Sequence, residues 1–180
     1  MSELVRLFVA VKLPGHAADE LENFLSELRP LAKIKWVRRE QFHITLKFIG
    51  EIESFRLEDV KAALEDIKTF EPFTIELDYI GAFPNLNSPK VLWLSGDRGA
   101  YELAKIARLV NDSLYDEAEI EREAKKFRAH LTLARLKESY LPEELVRRLG
   151  TVPKLSWSCS ELVLMKSVLT PKGPIYTQLM

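Results

Sequence analysis

The chain has 180 residues, of which 47% are hydrophobic and 29% are charged, so its composition excludes a disordered protein and predicts a soluble globular one. Its formal net charge of −1 excludes a strong overall field that would attract nucleic acid, so any RNA contact must depend on a local patch. The single cysteine, Cys159, excludes an internal disulfide framework and a Cys-based zinc cluster, and it fits a reducing cytoplasm.

The first half of the chain alternates predicted strands and helices. Residues 1–6 lack the basic start and long apolar run of a signal peptide, and no stretch approaches the ~20 apolar residues of a membrane span. We therefore expect a cytoplasmic protein without membrane attachment. Apolar periodicity predicts a strand over 4–13, a helix over 17–29, a strand over 42–49, a helix over 57–70 and a strand over 73–80.

The second half begins with a turn-rich loop over 84–89. The pattern then predicts a strand over 91–94, a helix over 99–114, a strand over 129–133, a helix over 142–149, one or two strands over 154–169 and a last strand over 175–179. This order is typical of an α+β fold with much antiparallel pairing. No Pro/Ser-rich linker interrupts it, so we expect a single domain over residues 1–180.

Two tetrapeptides of one pattern, His-aliphatic-Thr-Leu, lie half a chain apart at residues 43–46 and 130–133. They use two of the three histidines. Because side chains alternate along a strand, His43 and Thr45 share one face, and so do His130 and Thr132. An ancient duplication would produce this repeat, and it predicts two similar lobes of one domain that face each other across a groove.

Two imidazoles and two hydroxyls fit the cleavage of a phosphodiester. One histidine can take a proton from the attacking hydroxyl or water while the other gives a proton to the leaving oxygen. Thr45 and Thr132 can donate hydrogen bonds to the non-bridging phosphate oxygens. A zinc site is less favoured because it usually needs three or four protein ligands. We expect no metal and no cofactor, and a capping or surface role for His16.

With their surroundings, these motifs resemble the 2H phosphoesterase superfamily and, within it, the RNA 2′,3′-cyclic phosphodiesterases, also called the 2′-5′ RNA ligase family. Similar segments extend over nearly the full length, at 6–10, 13–14, 36–37, 43–51, 83–84, 91–94, 127–135, 169–171 and 173–176. One departure is Ala129, where many relatives are expected to have proline. It leaves both histidines intact.

The resemblance implies a bilobal, duplicated α+β fold with two mostly antiparallel sheets facing a central cleft and helices on the outside. It implies hydrolysis of a 2′,3′-cyclic phosphate at an RNA end, tRNA fragments included, to a 2′-phosphate. In that scheme His130 is the general base and His43 the general acid. The same groups, run backwards with an RNA 5′-hydroxyl, would form a 2′-5′ linkage. We expect a monomer.

Residues beside the first motif are secondary candidates for substrate binding. In a regular strand Lys47 shares the face of His43 and Thr45, where it could add positive charge at the phosphate. Phe48 falls on the opposite, core-like face, and only a twist at the strand end would bring its ring to a base for stacking.

Basic residues around the motifs are candidates for phosphate contacts. Arg128 is in phase with His130, whereas Arg135 is not, and a strand that ends near Ala134 would let Arg135 swing to the cleft rim. The family pattern favours Arg135. The pairs at 38–39 and 125–126 could guide an RNA strand, although charged runs are usually solvated surface.

Two alternatives to an RNA-end phosphodiesterase remain. The same mechanism could act on a small substrate, such as ADP-ribose cyclic phosphate or a 2′-5′ oligonucleotide. A non-catalytic RNA- or nucleotide-binding module is less favoured, because binding alone would not require two proton-transfer groups.

Overall fold

The secondary structure mixes helices and strands throughout residues 3–180, the part of the chain that the computed structural model describes. Met1 and Ser2, which belong to the segment used to argue against a signal peptide, lie outside the described residues. The helices are α1 (Gly15–Leu28), α2 (Leu57–Glu65), α3 (Ala100–Ala118) and α4 (Glu143–Leu149). The strands are β1 (Leu4–Lys12), β2 (Lys35–Trp36), β3 (His43–Glu53), β4 (Thr69–Leu77), β5 (Tyr79–Phe83), β6 (Val91–Ser95), β7 (Leu131–Arg135), β8 (Leu155–Glu161), β9 (Val163–Thr170) and β10 (Gly173–Gln178).

In residues 3–180 the strands form two antiparallel sheets of unequal size. The larger sheet has eight strands in the order β10-β9-β1-β3-β7-β6-β5, with β2 paired to β7, and the smaller consists of β4 and β8. The predicted α+β class with antiparallel pairing is therefore confirmed. The distribution of strands differs from the expected cleft between two facing sheets, because both motif strands, β3 and β7, are neighbours in the larger sheet.

The two faces of the larger sheet have different roles. On β1, Leu7 and Val9 belong to the main core, to which all four helices contribute buried side chains. Phe8 and Ala10 alternate with them and lie in a small second cluster formed with buried residues of β9. The helices therefore cover one face, and the other is available for polar chemistry.

The sequence pattern misplaced several element boundaries. The predicted helix over 57–70 ends at Glu65, because β4 begins at Thr69. The predicted strand over 73–80 is parts of β4 and β5, which pair with β8 and β6 in different sheets. Alternation does not encode which partner a strand chooses. Strand β2 was missed, since two residues are too few to show a period. No helix in residues 3–180 is long and apolar enough to cross a membrane.

Candidate active site

The structure brings the two motifs together on neighbouring strands. Ile44 of β3 is the cross-strand partner of Leu131 of β7. Continuing this antiparallel register by one residue in each direction puts His43 opposite Thr132 and Thr45 opposite His130. The two His-Thr pairs are thus related by a local two-fold arrangement, and all four side chains are partly exposed.

Both imidazoles are oriented by a backbone carbonyl two residues earlier in the chain. His43 Nδ1 lies 2.7 Å from the carbonyl oxygen of Gln41, and His130 Nδ1 lies 2.7 Å from that of Arg128. A carbonyl only accepts hydrogen bonds, so each Nδ1 is assigned the proton and each Nε2 is left for proton transfer. His43 Nε2 lies 3.0 Å from Thr45 Oγ1. Within residues 3–180, His130 Nε2 has no hydrogen-bond partner.

Aromatic rings pack against both histidines and fix their planes. The ring of His43 is 4.9 Å from that of Phe8 and meets the ring of Tyr176 edge-on at 5.4 Å. His130 meets Phe83 edge-on at 5.1 Å. None of these three aromatic residues was predicted as a site residue. The signal for Phe8 was its phase in β1, opposite to Leu7 and Val9. Phe83 and Tyr176 lie in the family-like segments 83–84 and 173–176, which was the one sequence signal for them.

The surroundings lower the pKa of both histidines. Burial is the main cause of the lowered pKa of His43, and the charges of His130 and Arg135 lower that pKa further. The hydrogen bond to the Gln41 carbonyl acts in the other direction and raises it. Burial also dominates at His130, where Arg135 and Arg128 lower the pKa and the carbonyl of Arg128 raises it. Both pKa values therefore lie below the usual value for histidine, in a locally electropositive site. An anion bound between them would raise both pKa values.

A β-bulge at Leu46 reverses the predicted positions of Lys47 and Phe48. Along β1, the partners change from Ala10–Thr45 to Val9–Lys47, so Leu46 is an extra residue. Alternation fails beyond a bulge. Lys47 therefore points into the core, 4% exposed, and donates a hydrogen bond to the Glu121 carbonyl at 2.5 Å. The prediction that Lys47 shares the face of His43 is wrong.

Phe48 lies on the face that carries the histidines. Its cross-strand partner is Phe8, whose ring contacts His43. Phe48 is 45% exposed, and the guanidinium of Arg6 lies 4.7 Å from its ring centroid. The bulge, rather than a twist at the strand end, turns this ring to the face where a base could stack on it.

A second bulge brings Arg135 to the same face. The partners of β6 change from Trp93–Thr132 to Leu92–Ala134, so Leu133 is the extra residue, at the motif position that Leu46 occupies in β3. Arg135 is exposed, and its charge lowers the pKa of both histidines. The bulge accounts for its position, and β7 continues to Arg135 instead of ending at Ala134.

The other predicted basic residues divide into two groups. Arg38 and Arg39 form ion pairs with Glu40 and Asp19 at 3.1 and 2.6 Å. Arg128 and Lys126 are exposed and line a groove of about 270 Å³ together with His130. Lys125 is exposed at the start of that segment.

Metal-ligating residue types are not grouped in the described part of the chain. No cluster of three or more His, Cys, Asp or Glu side chains there could hold a metal ion. His16 is exposed near the start of α1. Cys159 is buried in β8, and burial raises the pKa of its thiol to about 11.

Known proteins with similar sequences match this chain over nearly its full length. A family model described as LigT like Phosphoesterase matches residues 11–93 and 100–176. An RNA 2′,3′-cyclic phosphodiesterase of Archaeoglobus fulgidus is 37% identical, with 97% of this chain and 98% of that protein covered. One of Methanocaldococcus jannaschii is 31% identical, with 96% of each covered.

Solved structures agree with the fold. A Thermus thermophilus protein superposes with a TM-score of 0.79 at 31% identity, covering 97% of this chain and 95% of that one. Apo LigT of E. coli gives a TM-score of 0.79 at 23% identity, covering 99% and 96%, and supports the fold alone.

Proposed function

We propose that this chain, which belongs to the LigT-like phosphoesterase family of 2H phosphoesterases, hydrolyses 2′,3′-cyclic phosphodiester ends of RNA. The product would be a 2′-phosphate and a free 3′-hydroxyl. The relatives that carry this activity in their names cover nearly the whole chain, and the family model matches both halves.

The observation that carries the proposal is the two-fold arrangement of His-Thr pairs on β3 and β7. It offers one Nε2 atom from each strand, so a phosphate bound between them has a proton acceptor on one side and a proton donor on the other. In-line displacement requires this opposition of attacking and leaving groups.

In the proposed reaction, His130 takes a proton from water as the water oxygen bonds to phosphorus. Its Nε2 carries no hydrogen bond within residues 3–180, which leaves the lone pair free. His43, protonated at Nε2, gives its proton to the 3′-oxygen as the bond from that oxygen to phosphorus breaks. Thr45 and Thr132 donate hydrogen bonds to the non-bridging oxygens, where negative charge builds up.

Charge in the site explains how His43 acquires its proton. In the free protein its pKa is lowered by burial and by the charges of His130 and Arg135. A bound phosphodiester brings a negative charge that offsets those positive charges, so the pKa of His43 rises on binding. Substrate binding thus favours the protonated form of His43, which acts as the general acid.

The same groups support ligation. With an RNA 5′-hydroxyl in place of water and a 2′,3′-cyclic phosphate as the electrophile, His130 again accepts a proton and His43 again donates one. The product is a 2′-5′ phosphodiester, and no nucleotide triphosphate is consumed. We further propose that residues 1–180 form one domain of two related lobes, since each motif strand carries the same bulge after its threonine.

The test is to incubate the protein, in excess chelator, with a short RNA that ends in a 2′,3′-cyclic phosphate and to identify the product end. A 2′-phosphate supports the proposal. A 3′-phosphate would reverse the roles of the two ester oxygens and overturn the acid and base assignment. No product between pH 5 and 8 would overturn the activity, and loss in chelator restored by zinc would favour a metal mechanism.

A further inference from the structure

A groove of about 620 Å³ lies at the end of β7 remote from His130. Strand β2 and the segment that follows Arg135 form its walls, and part of its lining is apolar. This groove is distinct from the one that adjoins His130, and nothing in the proposed reaction uses it.

The polar lining of this groove is basic. Among the described residues, it contains Lys33, Lys35, Arg135 and Lys137 against a single acid, Glu138. The chain as a whole has a net charge of −1, so this excess of positive charge is local. In the described residues, none of these four basic side chains forms an ion pair, whereas Arg38 and Arg39 a few residues away do.

Arg135 connects the groove to the candidate active site. It is the cross-strand partner of Lys35, and partners in an antiparallel ladder point to the same face. Arg135 therefore has Lys35 beside it on one side and, through its charge, lowers the pKa of His43 and His130 on the other. Arg135 and Lys35 thus place two adjacent positive charges between the histidines and the groove.

We propose that this groove binds the RNA strand upstream of the terminal nucleotide, with Lys33 and Lys35 contacting the phosphodiester that precedes the cyclic phosphate at the histidines. This inference rests on the proposed function. A cyclic mononucleotide has no upstream phosphate and cannot use the groove, so the groove makes the site selective for a polynucleotide end.

The chemistry of the lining fits a single strand better than a free anion. Tyr140 is 70% exposed at the groove and offers an aromatic face on which a base can stack. Apolar side chains beside it can contact a ribose. Lysines contact the backbone without reading sequence, so the groove favours RNA ends in general.

The experiment compares two substrates with wild-type protein and the double variant Lys33→Ala/Lys35→Ala. One substrate is adenosine 2′,3′-cyclic phosphate, and the other is a four-nucleotide RNA that ends in the same group. Both lysines are exposed and neither forms an ion pair in residues 3–180, so the fold is expected to persist. The control, Lys105→Ala, removes from α3, on the helix-covered face, an exposed lysine that also forms no ion pair in residues 3–180.

We expect the variant to raise KM for the tetranucleotide about tenfold with kcat unchanged, and to leave both constants for the mononucleotide within about twofold. The dependence of log(kcat/KM) on log salt for the tetranucleotide should flatten by about 0.7, since the two lysines contact one phosphodiester and each single-strand phosphate contact contributes roughly 0.7. The control should behave as wild type.

Failure of this inference differs from failure of the proposed function. If wild-type protein cleaves both substrates and the variant shows an unchanged KM for the tetranucleotide, the groove does not bind the strand. An equal rise in KM for both substrates also overturns the inference, because the lysines would then serve the terminal phosphate. If wild-type protein cleaves neither substrate, the proposed function itself is wrong.

Discussion

Ile44 and Leu131 face each other across β3 and β7, and this pair lies midway between the two His-Thr pairs. Both side chains are fully buried in the main core. The polar residues on either side of them in each strand therefore project to the opposite face, at a spacing that the core sets. Packing on one face of the sheet thus positions the groups on the other.

Removal of either imidazole should abolish most of the activity. We expect His43→Ala and His130→Ala each to lower kcat by about 10²–10⁴-fold, because each change removes one proton-transfer group. Rates on the cyclic-phosphate RNA, with circular dichroism to verify folding, provide the measurement. His16→Ala is the matched control, since His16 is exposed near α1, and a near-wild-type rate in either motif variant would refute the mechanism.

The two threonines should have equal importance because of their equivalent positions. Thr45→Val and Thr132→Val keep the side-chain shape but remove one donor to the developing charge, and each should lower kcat by about 10²–10³-fold. Thr177→Val, an exposed change in β10, should have no effect. A loss confined to Thr45 would mean that its contact with His43 matters more than any contact with phosphate.

Phe48 should contribute to binding rather than to the chemical step. Replacing it by Leu removes an exposed ring beside the site, and base stacking on an aromatic ring contributes about 1–3 kcal/mol. We therefore expect KM to rise at least about fivefold with kcat nearly unchanged. Phe55→Leu, which removes a ring that is 69% exposed outside β3, is the control. A fall in kcat alone would assign Phe48 to positioning His43 through Phe8.

Lys47 should matter for stability and not for substrate. Its ammonium group is buried and donates to the Glu121 carbonyl, and burial lowers its pKa. Lys47→Met leaves that carbonyl without its donor and should lower the free energy of unfolding by about 1–3 kcal/mol. Urea unfolding measures this loss. Lys105→Met, on the exposed side of α3, should stay within about 0.5 kcal/mol.

The same Lys47 variant tests the bulge. If Lys47 is turned into the core, kcat and KM of the folded variant remain those of the wild type. A large rise in KM would instead place the ammonium group at the phosphate, which is its position in a strand without the bulge.

The pH profile of kcat/KM should be bell-shaped, with its maximum below pH 6.5. Activity needs neutral His130, so it falls when pH drops below the pKa of that residue. It also needs protonated His43, so it falls when pH rises above the pKa of His43. Both pKa values lie below the usual ~6.5 in the free protein, whose ionisations kcat/KM reports.

The profile of kcat should lie at higher pH than that of kcat/KM. The bound phosphate anion stabilises the protonated imidazoles, which raises both pKa values in the complex. A kcat/KM maximum above pH 7 would contradict the electropositive, desolvated site. Coincident profiles would contradict the role of substrate in charging His43.

The sequence determined the class of the fold, the two motif strands and the four groups at the centre of the candidate site. These follow from local patterns, because a strand with a buried face fixes which residues share the other face. It also indicated most helices and strands, with errors at boundaries such as 65–70, where a helical pattern continues into β4.

Only the tertiary structure decided to which face of the sheet the side chains after Thr45 and Thr132 point. A bulge depends on the register between partner strands, and this register is a non-local property that alternation in one strand cannot reveal. The bulges at Leu46 and Leu133 turn Phe48 and Arg135 to the site, and the first also sends Lys47 into the core. The pairing of Lys35 with Arg135, which extends positive charge into the groove, is likewise set by two segments far apart in the chain.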